Sequence, residues 1–230
     1  MIKGFSAYIN EAYNNPKDFI DIKYGNPLKW QKESMDLGSP LLKIATENGM
    51  MEKWKSRIPP LQGSDIVKKS IEDLIMLGSS LNPDDENFIK EAEKDLIGMY
   101  LNFLKINGQT SITREDLEAI TNQLDPITFE LKYHFNYPRP LQLSLEHGLS
   151  LYPSQPTDAC SPSYPSGHTI DSFVIGQLIA KKLPQLEDSV LELAEKISFS
   201  RNQGGIHFVF DSDYSKEIVS DILSLDFLSL

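Results

Sequence analysis

Two histidines stand in settings suited to proton transfer and nucleophilic attack. His168 follows Pro165-Ser166-Gly167, and His207 lies between Arg201 and Asp211. Hydrolysis of a phosphate monoester needs neutralised non-bridging oxygens, an in-line nucleophile and a proton for the leaving alkoxide. Arg139 and Arg201 offer planar forks for phosphate, and Lys132 adds a point charge. Pro165-Ser166-Gly167 ahead of an apolar helical pattern reads as a helix start, whose free N–H groups and positive dipole end bind anions. Gly167 lets the backbone approach closely, and the Ser166 hydroxyl can donate once more. His207 and Asp211 are four residues apart, which predicts one shared helix face with the carboxylate fixing the imidazole tautomer. The other ring nitrogen is then free to attack phosphorus, while His168 beside the anion site protonates the leaving group.

The spacing is specific. Lys132, six residues, then Arg139-Pro140; Pro165-Ser166-Gly167-His168; and Ser200-Arg201, five residues, His207, three residues, Asp211, supply eleven fixed positions in order. This pattern resembles the superfamily that unites type 2 phosphatidic acid phosphatases, bacterial class A acid phosphatases and vanadium haloperoxidases. Ser163-Tyr164 and Gly205 look most like the soluble class A members. The resemblance implies phosphate ligands at Lys132, Arg139, Ser166, Gly167 and Arg201, an acid at His168, a nucleophile at His207 and an orienting carboxylate at Asp211. Asn202-Gln203-Gly204, Phe208 and Ser212-Asp213 depart from the common pattern, which puts the packing around His207 in question and offers Asp213 as a competing acid.

The expected activity is therefore metal-independent phosphoric monoester hydrolysis through a phosphohistidine on His207. The alternatives are a vanadate-dependent haloperoxidase and a non-catalytic phosphate-binding module. No cofactor is expected to be required, although vanadate would occupy the phosphate site. The expected partner is a small-molecule phosphate ester.

Helical periodicity dominates the elements that must position these groups, so the predicted class is all-α, a helical bundle with a long Pro/Ser-rich loop carrying part of the site. Residues 1–58 read as an irregular, partly helical arm packed on the core, and 59–230 as the phosphatase-like helical domain. Ser64-Asp65 caps a helix through Leu77, and a long helix is expected over about Asp85–Lys105, ended by Gly108. Thr113-Arg114-Glu115-Asp116 opens a third helix that reaches Lys132 and Tyr133, with a kink or break at Pro126. A loop from Pro138 to Pro165 precedes helices at about His168–Lys182, Leu186–Phe199 and His207–Leu225.

A net charge of −11 repels nucleic acid and anionic membranes, so neither is an expected partner and an anionic substrate needs a local cation cluster. Cys160 is the one cysteine, so an intrachain disulfide is impossible and the thiol reads as inert. No signal-length or membrane-spanning apolar run is evident, which places the chain in the cytoplasm as an expectation and leaves homo-oligomerisation open. His134 and His147 read as ordinary surface or core residues, and Trp30 and Trp54 as packing residues. Asp84-Asp85-Glu86 reads as an acidic helix start and Glu91–Asp95 as a solvated face.

Overall fold

Helix starts are written into this chain as side-chain caps. Ser39, Ser64, Asn82, Asp95, Thr113 and Ser166 each accept a hydrogen bond from a backbone N–H two or three residues on, satisfying a donor that the helix itself leaves free. The computed structural model describes residues 23–153 and 160–230. Among them run α1 (Lys29–Leu37), α2 (Pro40–Glu47), α3 (Met50–Lys55), α4 (Asp65–Ser79), α5 (Pro83–Lys94), α6 (Leu96–Ile106), α7 (Arg114–Phe135), α8 (Pro140–Glu146), α9 (Gly167–Lys182), α10 (Glu187–Gln203) and α11 (Val209–Ser224). A 3₁₀ turn over Pro184–Leu186 leads into α10. No strand occurs among the described residues, and the class is all-α.

Helix α9 is the axis of the bundle. It packs on α7, α10 and α11, and Ile170, Val174, Ile175, Leu178 and Ile179 are buried around its circumference. Burying each such side chain contributes roughly 1.5–3 kcal/mol. A Cβ at Gly176 would stand 3.2 Å from the Ala194 Cβ, so the missing side chain is what lets α9 and α10 approach. The N-terminal helices α1, α2 and α3 pack on α7, and Leu41, Ala45, Met51 and Trp54 join the same core cluster. Trp54 is also tied to α11: its indole donates to Asp221, and its carbonyl accepts from Tyr214 at 2.6 Å.

Three expectations about elements are corrected. The helix expected over Asp85–Lys105 is two helices, because Asp95 adopts φ −158°, ψ 75° and its carboxylate caps the Gly98 N–H while pairing with Arg114. Helix α7 shows no break at Pro126. The proline removes the donor due to the Asn122 carbonyl, at a cost of about 3 kcal/mol, but Leu124, Ile127, Thr128 and Phe129 are all buried around it and hold the helix together. The segment expected as loop from Pro138 to Pro165 contains α8, started by Pro140 and by a Gln142 side chain that accepts from the Arg139 N–H. Part of that loop, residues 154–159, lies outside the described residues, as does the arm's start, 1–22.

Candidate active site

Lys132 ends the buried face of α7, and Asn136, in the left-handed conformation at φ 46°, caps the helix and turns the chain toward Arg139. Arg139 stands at the N-cap of α8. The segment Ser161-Pro162-Ser163 passes beneath both cations and presents its oxygens to them. Lys132 Nζ donates to the Pro162 carbonyl at 2.7 Å, and Arg139 Nε to the Ser161 carbonyl at 2.8 Å. Arg139 Nη2 reaches the Ser161 hydroxyl, and Nη1 donates to the Ile206 carbonyl at 3.0 Å. Arg201 comes from the last turn of α10 and is 2% exposed. With Gly167, His168 and His207 these side chains line a cavity of about 250 Å³.

His207 is held at both ring nitrogens. Nδ1 lies 2.9 Å from Asp211 Oδ2, and Nε2 lies 2.9 Å from Arg139 Nη1. The pairing does not come from a shared helix face, which corrects the reading of the four-residue spacing. His207 precedes α11, and Asp211 occupies the third helical position, where Oδ2 also accepts from the Phe208 N–H and from the Ser163 hydroxyl at 2.5 Å. A capping geometry thus places the histidine. Asp211 Oδ1 has no hydrogen-bond partner among the described residues. Burial raises the Asp211 carboxyl to about 6, against the opposing pull of Ser163, Phe208, Lys132 and Arg139.

The departures from the family pattern prove mutually compensating. Asn202 Nδ2 donates to the His207 carbonyl at 3.1 Å and lies against the Ser212 hydroxyl, so two polar residues clamp the bend together. Phe208 is fully buried and stacks on Phe210 at 4.6 Å. Asp213 is exposed and stays out of the cavity.

Gly167 opens α9 against α7, where an added Cβ would meet Thr128 Cγ2 at 3.3 Å. Ser166 is placed differently from the expectation. Its hydroxyl is fully buried, accepts from Thr169 N and Thr169 Oγ1, and does not line the cavity. His168 does line it, with 28% of its side chain exposed. Burial lowers the His168 pKa well below the usual imidazole value, as do the charges of Arg201, Lys132 and Arg139, while a hydrogen bond to the Ala92 backbone works the other way. His207 is lowered well below that value too, by burial first and then by Arg139, Lys132 and Arg201. Lys132 is likewise pushed down by burial and by Arg139. Both environments therefore favour the neutral imidazole over the charged one.

Several lining groups were not anticipated from the sequence. Glu93 of α5 forms a short ion pair with Arg201 Nη2, and its Oε2 lies 3.9 Å from His168 Nε2. The expectation of a solvated Glu91–Asp95 face is corrected at this residue, whose side chain is 15% exposed. Trp30, expected only to pack, lines the cavity edge-on to Phe129. Asp125, Thr128, Cys160 and Asp171 line it as well. His134 and His147 face away, on the carbonyls of Lys55 and Gln62.

Residues 118–214 match the sequence profile described as the PAP2 superfamily. That stretch contains every cavity cation and both cavity histidines but excludes Glu93 and Trp30. Among curated proteins, none matches the chain in sequence. No helix among the described residues is long and apolar enough to cross a membrane.

Proposed function

From the match of residues 118–214 to the PAP2 superfamily profile, we propose that the chain is a phosphoric monoester hydrolase that works through a phosphohistidine on His207. One observation carries the reading. The imidazole of His207 is fixed between Asp211 and Arg139, so the nitrogen facing the cavity is unprotonated. An arginine cannot accept a hydrogen bond.

In the proposed first step, Arg139, Arg201, Lys132 and the Gly167 N–H hold the non-bridging oxygens, and Nε2 of His207 forms a bond to phosphorus. The phosphorus–oxygen bond to the alcohol breaks, and His168 gives that oxygen its proton. In the second step His168 takes a proton from water, the water oxygen attacks phosphorus, and the bond to Nε2 breaks. Asp211 stabilises the positive ring while phosphorylated. Ester and water become alcohol and inorganic phosphate, with every group restored. The bound dianion also offsets the repulsion among the three cations and raises the proton affinity of His168 when the acid is needed.

Hydrolysis of p-nitrophenyl phosphate, followed by acid-labile ³¹P signal from quenched enzyme, tests this. Peroxidase activity after vanadate loading with no ester hydrolysis would overturn it in favour of a haloperoxidase. Phosphate binding with turnover of neither kind would favour a binding module.

A further inference from the structure

The cavity has a second pole, and its chemistry is opposite to the first. On α7, Asp125, Thr128 and Lys132 follow at helical spacing and share a face. On α9, Gly167, His168 and Asp171 do the same. Gly167 lies against Thr128 and Lys132, while Asp171 lies close enough to Asp125 for that carboxylate to raise its pKa. The phosphate ligands therefore occupy one end of the groove and two carboxylates the other. Lys132 and Asp125 stand seven positions apart on α7, about 10 Å of helix rise.

This acidic end has no hydrogen-bonded or ion-paired partner among the described residues, although the charge of Lys132 acts on Asp171. Asp211 and Glu93, the other acids at the site, are engaged by His207, Ser163 and Arg201. Asp125 and Asp171 make no hydrogen bond or ion pair among the described residues, although both line the cavity. Between them Thr128 is 4% exposed and lines the same space, and its Oγ1 is buried without a hydrogen-bond partner. Buried polar groups are ordinarily satisfied, so an unpartnered hydroxyl in the cavity wall is a group that a bound ligand could satisfy. Phe129 and Trp30, edge to face at 5.1 Å, wall this end. Burial raises both acids, Asp125 to about 6, and the negative charge they keep near neutral pH repels the anion that the phosphate site collects. A substrate carrying positive charge at its far end reverses that repulsion.

Resting on the phosphomonoesterase reading, we infer that this pole is a subsite for a primary ammonium, and that the substrate class is an aminoalkyl phosphate with its two charges joined by a short chain. The ammonium has three N–H donors, matching Asp125, Asp171 and the Thr128 hydroxyl. Its methylene stem lies against Phe129 and Trp30, whose ring faces also favour a cation.

The test pairs ω-aminoalkyl phosphates of about two to six carbons with ω-hydroxyalkyl phosphates of equal length, at about pH 7.5. At the best length kcat/KM is expected to favour the amine by about tenfold or more. Asp125→Asn and Asp171→Asn are each expected to bring that ratio close to one. The ratio is taken within a single preparation, so partial misfolding of a variant does not alter it. Titration calorimetry with the matching non-hydrolysable aminoalkyl and hydroxyalkyl phosphonates supplies the same ratio for binding alone. Hydrolysis of all the esters with ratios near one would overturn the subsite and leave the phosphatase reading standing. A preference for the hydroxyalkyl series would overturn it in favour of a polyol phosphate. If no ester were hydrolysed, the phosphatase reading would fail, and the phosphonate ratio would decide the subsite by itself.

Discussion

Arg139 Nη1 donates to His207 Nε2 at 2.9 Å while Asp211 holds Nδ1 of the same ring at the same distance. The tautomer is thus set from both sides, and in the proposed mechanism the transferring phosphoryl group takes the arginine's place at the lone pair. His207→Ala is expected to abolish turnover of p-nitrophenyl phosphate. Asp211→Asn preserves the shape but no longer selects the tautomer or steadies the charged ring, so kcat should fall by about 10²–10⁴-fold with KM little changed. A rate within a few fold of the parent would contradict the assignment.

Glu93 lines the cavity, pairs with Arg201 and approaches His168, so the proposed mechanism gives it a positioning role. Glu93→Ala should lower kcat/KM by about 10–100-fold, with Glu93→Gln milder because it keeps a hydrogen bond to Arg201. Both variants remove a negative charge near His168, so the basic limb of the kcat profile should move to lower pH. A uniform loss at every pH would indicate packing alone.

In the proposed mechanism the lowered histidine pKa values set the direction of the pH dependence. His207 must be neutral, so the acid limb of kcat/KM should lie below pH 6.5. His168 must carry a proton, so kcat/KM should decline as pH rises past its lowered value. The bound dianion raises that value, and the basic limb of kcat should therefore lie above that of kcat/KM. A monotonic rise to pH 9 would contradict the acid assigned to His168.

Asp171 is raised well above 3.8 by burial and by Asp125. The folded state binds this proton more tightly than the unfolded chain, so stability falls as pH rises from 3.8 and the loss is complete above the folded pKa. Asp171→Asn removes that loss. Thermal melts should show the variant more stable at about pH 7.5, with the gain fading near about pH 3.5. An equal gain at both values would point to another cause.

Orthovanadate should inhibit competitively, as a five-coordinate mimic of the transferring phosphoryl group. EDTA should leave the rate unchanged, because the proposed steps give every role to a side chain or backbone N–H. Loss of rate with EDTA, restored by a divalent cation, would contradict them.

Much of this geometry was legible in the chain, for physical reasons that differ by residue. Caps such as Ser64 and Thr113 act within one turn, so local sequence suffices to find them. The ordered cations and histidines were legible as a motif, yet the same four-residue spacing that suggested a helix face for His207 and Asp211 is realised as a cap. Pro126 misled because its cost is local while the burial that outweighs it is tertiary. Glu93 was hidden in a run whose charged members Glu91, Lys94 and Asp95 do face solvent, and the packing of α5 on α10 turns this carboxylate inward. Asp125 and Asp171 stand 46 residues apart and meet only because α7 and α9 pack together.

Lys132 and Arg139 are held chiefly by main-chain oxygens of Ser161, Pro162, Ser163 and Ile206. A carbonyl is common to all twenty residue types, so the cations make little demand on which side chains those positions carry. The segment Ser161-Pro162-Ser163 therefore fixes these charges mainly through its path, and the exception is Ser163, whose hydroxyl also donates to Asp211. Substitution at Pro162 that preserves the path should leave the cations registered, whereas loss of the Ser163 hydroxyl should loosen Asp211 and with it His207.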